Sequence, residues 1–163
     1  MNRSSLYAAF GAKRDLYLHA QARYAEGSAA RIAAALQGRR IDQGLKHFFD
    51  ALIDSIVAGP GRRGCFIGNC AAEMARLDRR AAACVRKSLA RIESTFRAAL
   101  EEARARGELP DDADTGALAL SHLRCAGLAA GRQGQPGPPC ARRYCSSDAA
   151  LPETLMPRRL PCP

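Results

Sequence analysis

Five side chains near the N-terminus have the types and spacing to touch nucleic acid: Arg3, Ser4, Ser5, Tyr7 and Lys13. Residues 3–10 read as a short helix, with Asn2 as N-cap and Gly11 at the C′ position. Arg and Ser side chains near the start of such a helix can offer donors to base edges in a major groove. Tyr7 and Lys13 can hydrogen-bond phosphates. Lys13 also stands where a second helix begins, near residue 12 or 13, and the free N–H groups and dipole of a helix start attract phosphate. Leu6, Phe10 and Leu16 would face inward and hold the reader in place. The alternative is an ordinary amphipathic helix followed by a basic turn.

The remaining reactive side chains form no catalytic constellation. His19, His47 and His122 are scattered, with no His-x-x-x-His pair, so no metal site and no cofactor is expected. No Walker loop, Gly-x-Ser-x-Gly or His-Glu-x-x-His is present, and the expectation is a protein that is not an enzyme. Gly59-Pro60-Gly61-Arg62-Arg63-Gly64 is literally G-x-G-x-x-G. A helix precedes it rather than a strand, and Pro takes its second place, so it reads as an interhelical loop. Seven cysteines, an odd number, without C-x-x-C spacing or a secretory signal argue against a disulfide framework. The pairs Cys65/Cys70 and Cys140/Cys145 lack zinc-ligand neighbours. Cys65 and Cys70 read either as a redox pair at a helix start or as small packing residues. Glu101/Glu102 and Asp111/Asp112 read as solvated charge.

These groups need a scaffold, and composition makes it helical. Of 163 residues 33 are Ala, aromatics are 6% and Trp is absent, which disfavours an all-β fold. No apolar run is long enough to span a membrane. The expected location is therefore cytoplasmic, with no membrane partner. The net charge of +9 favours an anionic partner, with a plain basic surface as the alternative. After the helix start near residue 13, Leu16, Ala20 and Tyr24 share a face, Gly27 threatens an interruption, and the pattern resumes to Gly38. A strongly amphipathic helix covers about 41–57, a short one about 65–76, and Asp78 caps a long one that Gly107 ends. Asp114 can cap a last helix weakened by Gly127 and Gly131. Residues 132–163 hold seven of the nine Pro and no Ile, Val or Phe, and read as a disordered Pro/Gly/Cys-rich tail.

Two stretches carry a family resemblance. Arg3-Ser4-Ser5-Leu6-Tyr7-Ala8-Ala9-Phe10-Gly11-Ala12-Lys13-Arg14-Asp15-Leu16 resembles the recognition helix and following junction of the TetR family of bacterial transcription regulators. Arg63-Gly64-Cys65-Phe66-Ile67-Gly68-Asn69-Cys70-Ala71-Ala72-Glu73 resembles a Gly-Cys-aliphatic-x-Asn-x-x-x-Glu stretch of one TetR branch, and Gly107-Glu108-Leu109 fits its long-helix ending. Ala12 departs from the usual Ser, Asp or Asn, a lost cap of about 1 kcal/mol.

The resemblance implies an all-α helical bundle: a remnant of the helix-turn-helix domain over 1–26, and an effector-binding and dimerisation domain over 27–131. It implies a ligand-responsive repressor that binds operator DNA as a homodimer and takes a small-molecule effector. Arg3, Ser4 and Ser5 would read bases, and Tyr7 and Lys13 would hold phosphates. Phe48, Phe49, Phe66, Asn69, Cys70 and Met74 either line the effector cavity or pack as core. Val85, Leu89, Ile92 and Phe96, a heptad-like seam, serve either a dimer interface or the chain's own core. The family places two helices before the reader, so a truncated or mis-started frame is expected. A one-base shift of GC-rich codons after Gly127 reads as a normal helical ending, so the tail is expected to be a frameshift or a genuine disordered tail. The alternative function is a fragment that binds effector or heterodimerises without binding DNA.

Overall fold

The structure, a computed structural model, describes residues 11–58 and 64–130. The readings placed on residues 1–10, on most of the Gly59–Gly64 loop and on the tail lie outside it. Five helices and no strand occur among the described residues: α1 Lys13–Leu36, α2 Ile41–Ala58, α3 Phe66–Glu73, α4 Arg79–Ala105 and α5 Thr115–Ala130.

Helix α1 begins without a side-chain oxygen at its N-cap, because Ala12 has none to offer. Asp15 compensates from inside the first turn, where its Oδ2 accepts the Ala12 N–H at 3.2 Å and its charge suits the helix dipole. Gly11 has φ 74, in the left-handed region that favours glycine. Gly27 does not interrupt the helix, since packing of the buried face outweighs its poor propensity. That face is Gln21, Ala25, Ile32 and Leu36. The expected face of Leu16, Ala20 and Tyr24 is one residue out of register: Ala20 is exposed, and Leu16 and Tyr24 lie at the margin.

Helix α4 starts as the sequence predicts. Asp78 accepts from the N–H groups of Arg80 at 2.8 Å and Ala81 at 3.2 Å. It ends in a Schellman motif: Gly107, with φ 73, donates to Arg104 O at 2.9 Å and Glu108 N–H to Ala103 O at 3.0 Å. Leu109, just beyond, is buried. Asp114 caps α5 by accepting the Ala117 N–H at 2.9 Å.

The core gathers Ile32, Leu36, Ile41, Leu45 and Phe49 with Ile67, Cys70, Val85, Ile92, Phe96, Leu100 and Leu109. Partner offsets of 64 to 66 between Arg14 and Asp78, Leu18 and Cys84, and Glu26 and Arg91 show that α1 and α4 run side by side in the same direction. Tyr17 pairs with Cys70 and Tyr24 with Phe66, so α3 runs antiparallel to α1. One long-range cap ties the far end together. Glu108, from the turn after α4, accepts the N–H of Ile41, the first residue of α2, at 2.6 Å, and also pairs with Arg106 at 2.7 Å.

Candidate functional site

The start of α1, immediately after the donor-bearing motif, is held from two sides. Arg14 forks onto Asp78, with Nη2 to Oδ1 and Nε to Oδ2 both at 2.6 Å. Asp78 is at the same time the N-cap of α4. Burial raises the Asp78 carboxyl, but the Ala81 and Arg80 N–H groups and the Arg14 guanidinium together hold it below its ordinary value. The guanidinium is half exposed, so the pair fixes orientation more than it adds stability. One turn on, the Tyr17 hydroxyl donates to Cys70 Sγ at 2.7 Å. Lys13 is exposed at the helix start. Arg3, Ser4, Ser5 and Tyr7 lie outside the described residues.

Between α1 and α3 the Phe66 ring stands edge-on to Tyr17 at 5.3 Å and to Tyr24 at 5.7 Å. Burial, then the Cys70 hydrogen bond, push the Tyr17 phenol well above its usual value. Burial likewise raises Tyr24, with neighbouring Cys65 adding to it. Burial also raises the Cys70 thiol, despite the bond from Tyr17. A fully buried, protonated thiol is a poor nucleophile, which favours packing over the redox role for Cys70. Cys65, Cys70 and Cys84 are free thiols.

The same junction holds a group that sequence reasoning missed. Gln21 is fully buried, and neither its Oε1 nor its Nε2 has a hydrogen-bond partner. An unpaired buried amide costs about 1–3 kcal/mol. Glutamine scores as polar surface in any periodicity scan, so only packing could reveal it.

A second ring cluster lies between α2, α4 and α5. Phe48 is edge-on to Phe49 at 5.1 Å and to Phe96 at 5.5 Å. His122 is tilted over Phe49 and Phe96 at 6.1 and 5.8 Å. Its Nδ1 lies 2.6 Å from Leu118 O. A carbonyl only accepts, so Nδ1 carries the proton. Burial pushes this imidazole below its usual value, opposed in part by the Leu118 carbonyl.

The structure thus divides the six residues read as pocket lining. Phe48 and Phe49 join the His122 cluster, Phe66 and Cys70 join the α1–α3 junction, and Asn69 and Met74 are half-buried on and just after α3. The α4 seam divides as well. Val85, Ile92 and Phe96 are buried in the chain's own core, and only Leu89 reaches the surface, at 36% exposure. The same buried face also carries Ala81, Ser88, Leu100 and Ala103.

Among the described residues, no helix is long and apolar enough to cross a membrane, and no cluster of three or more His, Cys, Asp or Glu could hold a metal. What stands out is an all-α domain whose first long helix is fastened at its start.

The comparisons agree with that class. A family model described as "Tetracyclin repressor-like, C-terminal domain" matches residues 42–130. The chain belongs to the tetracycline-repressor-like family. It is 30% identical over 119 residues to the "Uncharacterized HTH-type transcriptional regulator YezE" of Bacillus subtilis strain 168, covering 72% of this chain and 61% of that protein. The chain thus spans about three fifths of the length of that relative. No solved structure matches.

Proposed function

We propose that the chain works as a ligand-responsive repressor that binds operator DNA through the segment ending at Lys13. A small molecule held in the helical core controls that binding, and the protein acts by binding rather than by catalysis. The observation that carries the reading is the double fastening of α1: Arg14 to the cap of α4, and Tyr17 to α3. A displacement of α3 or of the α4 cap must therefore tilt or shift the helix start from which the reader hangs. In a homodimer with half-sites about 34 Å apart, a small tilt carries two readers out of register. The dimer would use outward surface such as Leu120 on α5, which is 45% exposed, rather than the buried α4 seam.

The test is an electrophoretic shift of the gene's own upstream DNA by the full chain, against a scrambled duplex at a fixed, stated salt. A specific, salt-resistant shift supports the reading. A sequence-blind, salt-labile shift reduces it to net charge, and leaves the chain as an effector-binding or heterodimerising fragment that does not read DNA.

A further inference from the structure

The orphaned Gln21 amide has a definable neighbourhood. The parallel register of α1 and α4 sets it level with Val85, between Ala81 and Ser88. The antiparallel register with α3 sets it between the Tyr17–Cys70 and Tyr24–Phe66 pairs. Three helices therefore meet at the level of this amide, and the flanking turns of the same junction carry the Tyr17 hydroxyl, the Cys70 and Cys84 thiols and the Tyr17, Tyr24 and Phe66 rings. The charged groups nearby are engaged or at the rim: Arg14 pairs with Asp78, Arg31 lies 6.0 Å from the Tyr24 ring centre, and Glu73 is exposed. The polar atoms left to recognise a guest are one acceptor and one donor, side by side and uncharged.

We propose that this junction is a ligand site, in which Gln21 reads a small, uncharged, planar molecule carrying an acceptor and a donor on one edge. A primary carboxamide is its simplest form. Such an edge closes a two-bond ring with the Gln21 amide and satisfies both orphaned atoms, while the Tyr17, Tyr24 and Phe66 rings cover its apolar body. The proposal rests on the ligand-responsive reading above and names the ligand class. A carboxylate is excluded because nothing at the junction neutralises it, and a ketone satisfies only half of the amide.

The experiment titrates the full chain with benzamide, acetophenone and benzoate at neutral pH, by calorimetry and by thermal shift. Benzamide is expected to raise Tm and to bind at least about tenfold more tightly than acetophenone, as one further hydrogen bond of ordinary strength allows. Benzoate is expected to have no effect. Gln21→Met, which fills the site without an unpaired amide, is expected to raise the ligand-free Tm and to abolish the benzamide response. The proposal is overturned if millimolar benzamide leaves Tm unchanged, if Gln21→Met binds it as the parent does, or if Gln21→Met lowers the ligand-free Tm. A chain that binds benzamide but not DNA keeps the site and defeats the repressor reading. A chain that binds its operator but ignores benzamide does the reverse.

Discussion

Acidification should destabilise this protein through His122. The ring is 4% exposed, its Nδ1 proton is committed to Leu118 O, and Phe49 and Phe96 lie beside it. Its pKa in the folded chain is lowered by burial, while in the unfolded chain it returns to about 6.5. Above that pH both states hold the imidazole neutral, and His122 contributes no pH dependence. Below it the unfolded chain takes up a proton that the folded chain refuses. Stability then falls by up to about 1.4 kcal/mol per pH unit until the folded pKa is reached. Between pH 6.5 and 5.5 the loss is at most about 1 kcal/mol, or roughly 3 °C in Tm for a chain of this size. Urea unfolding of the parent and of His122→Gln across that range isolates the effect, because every other group is common to the two proteins. The variant should lose this part of the slope. Equal slopes in the two proteins, or an NMR titration of the His122 ring centred at its ordinary pKa, would refute the reasoning.

Two further substitutions probe packing. A Cβ on Gly44 would sit 3.0 Å from Leu36 Cδ2, 3.1 Å from Leu36 Cα and 3.3 Å from Ala35 O. Gly44→Ala should therefore destabilise by about 1–2 kcal/mol in urea, even though alanine is the better helix former; a gain in stability would show that α1 and α2 separate easily. Glu108→Ala should cost about 1–2 kcal/mol by leaving the first N–H of α2 unpaired, and Glu108→Gln less, because an amide oxygen still accepts there. The Arg106 hydrogen bond, first among its influences, holds the Glu108 carboxyl below its ordinary value. Its contribution is thus present at neutral pH and lost as pH falls through the folded value, an acid limb that Glu108→Ala should lack.

Helix ends were legible because caps are local chemistry. Asp78, Gly107 and Asp114 each act on atoms within five residues, so residue type and spacing suffice to place them. Faces were less legible. A 3.6-residue period shows that a helix has an apolar side, but the neighbour chooses its centre. Here α4 and α3 chose Gln21 and Ala25 on α1, and on α4 the core took Ser88 while Leu89 turned outward. The grouping of the candidate site was not legible at all. Phe48 and Phe66 look alike in a sequence and enter different ring clusters, while Tyr17 and Cys70 meet across 53 residues and Glu108 and Ile41 across 67.

The central claim is that α1 begins at the DNA backbone, with Lys13 on a phosphate. The salt dependence of operator binding, measured for the parent and for Lys13→Ala, tests it most directly. The account predicts that the variant binds operator and scrambled duplex more weakly by a similar factor, and that the slope of log K against log salt falls by about one phosphate contact. An unchanged slope, with affinity intact, would contradict it.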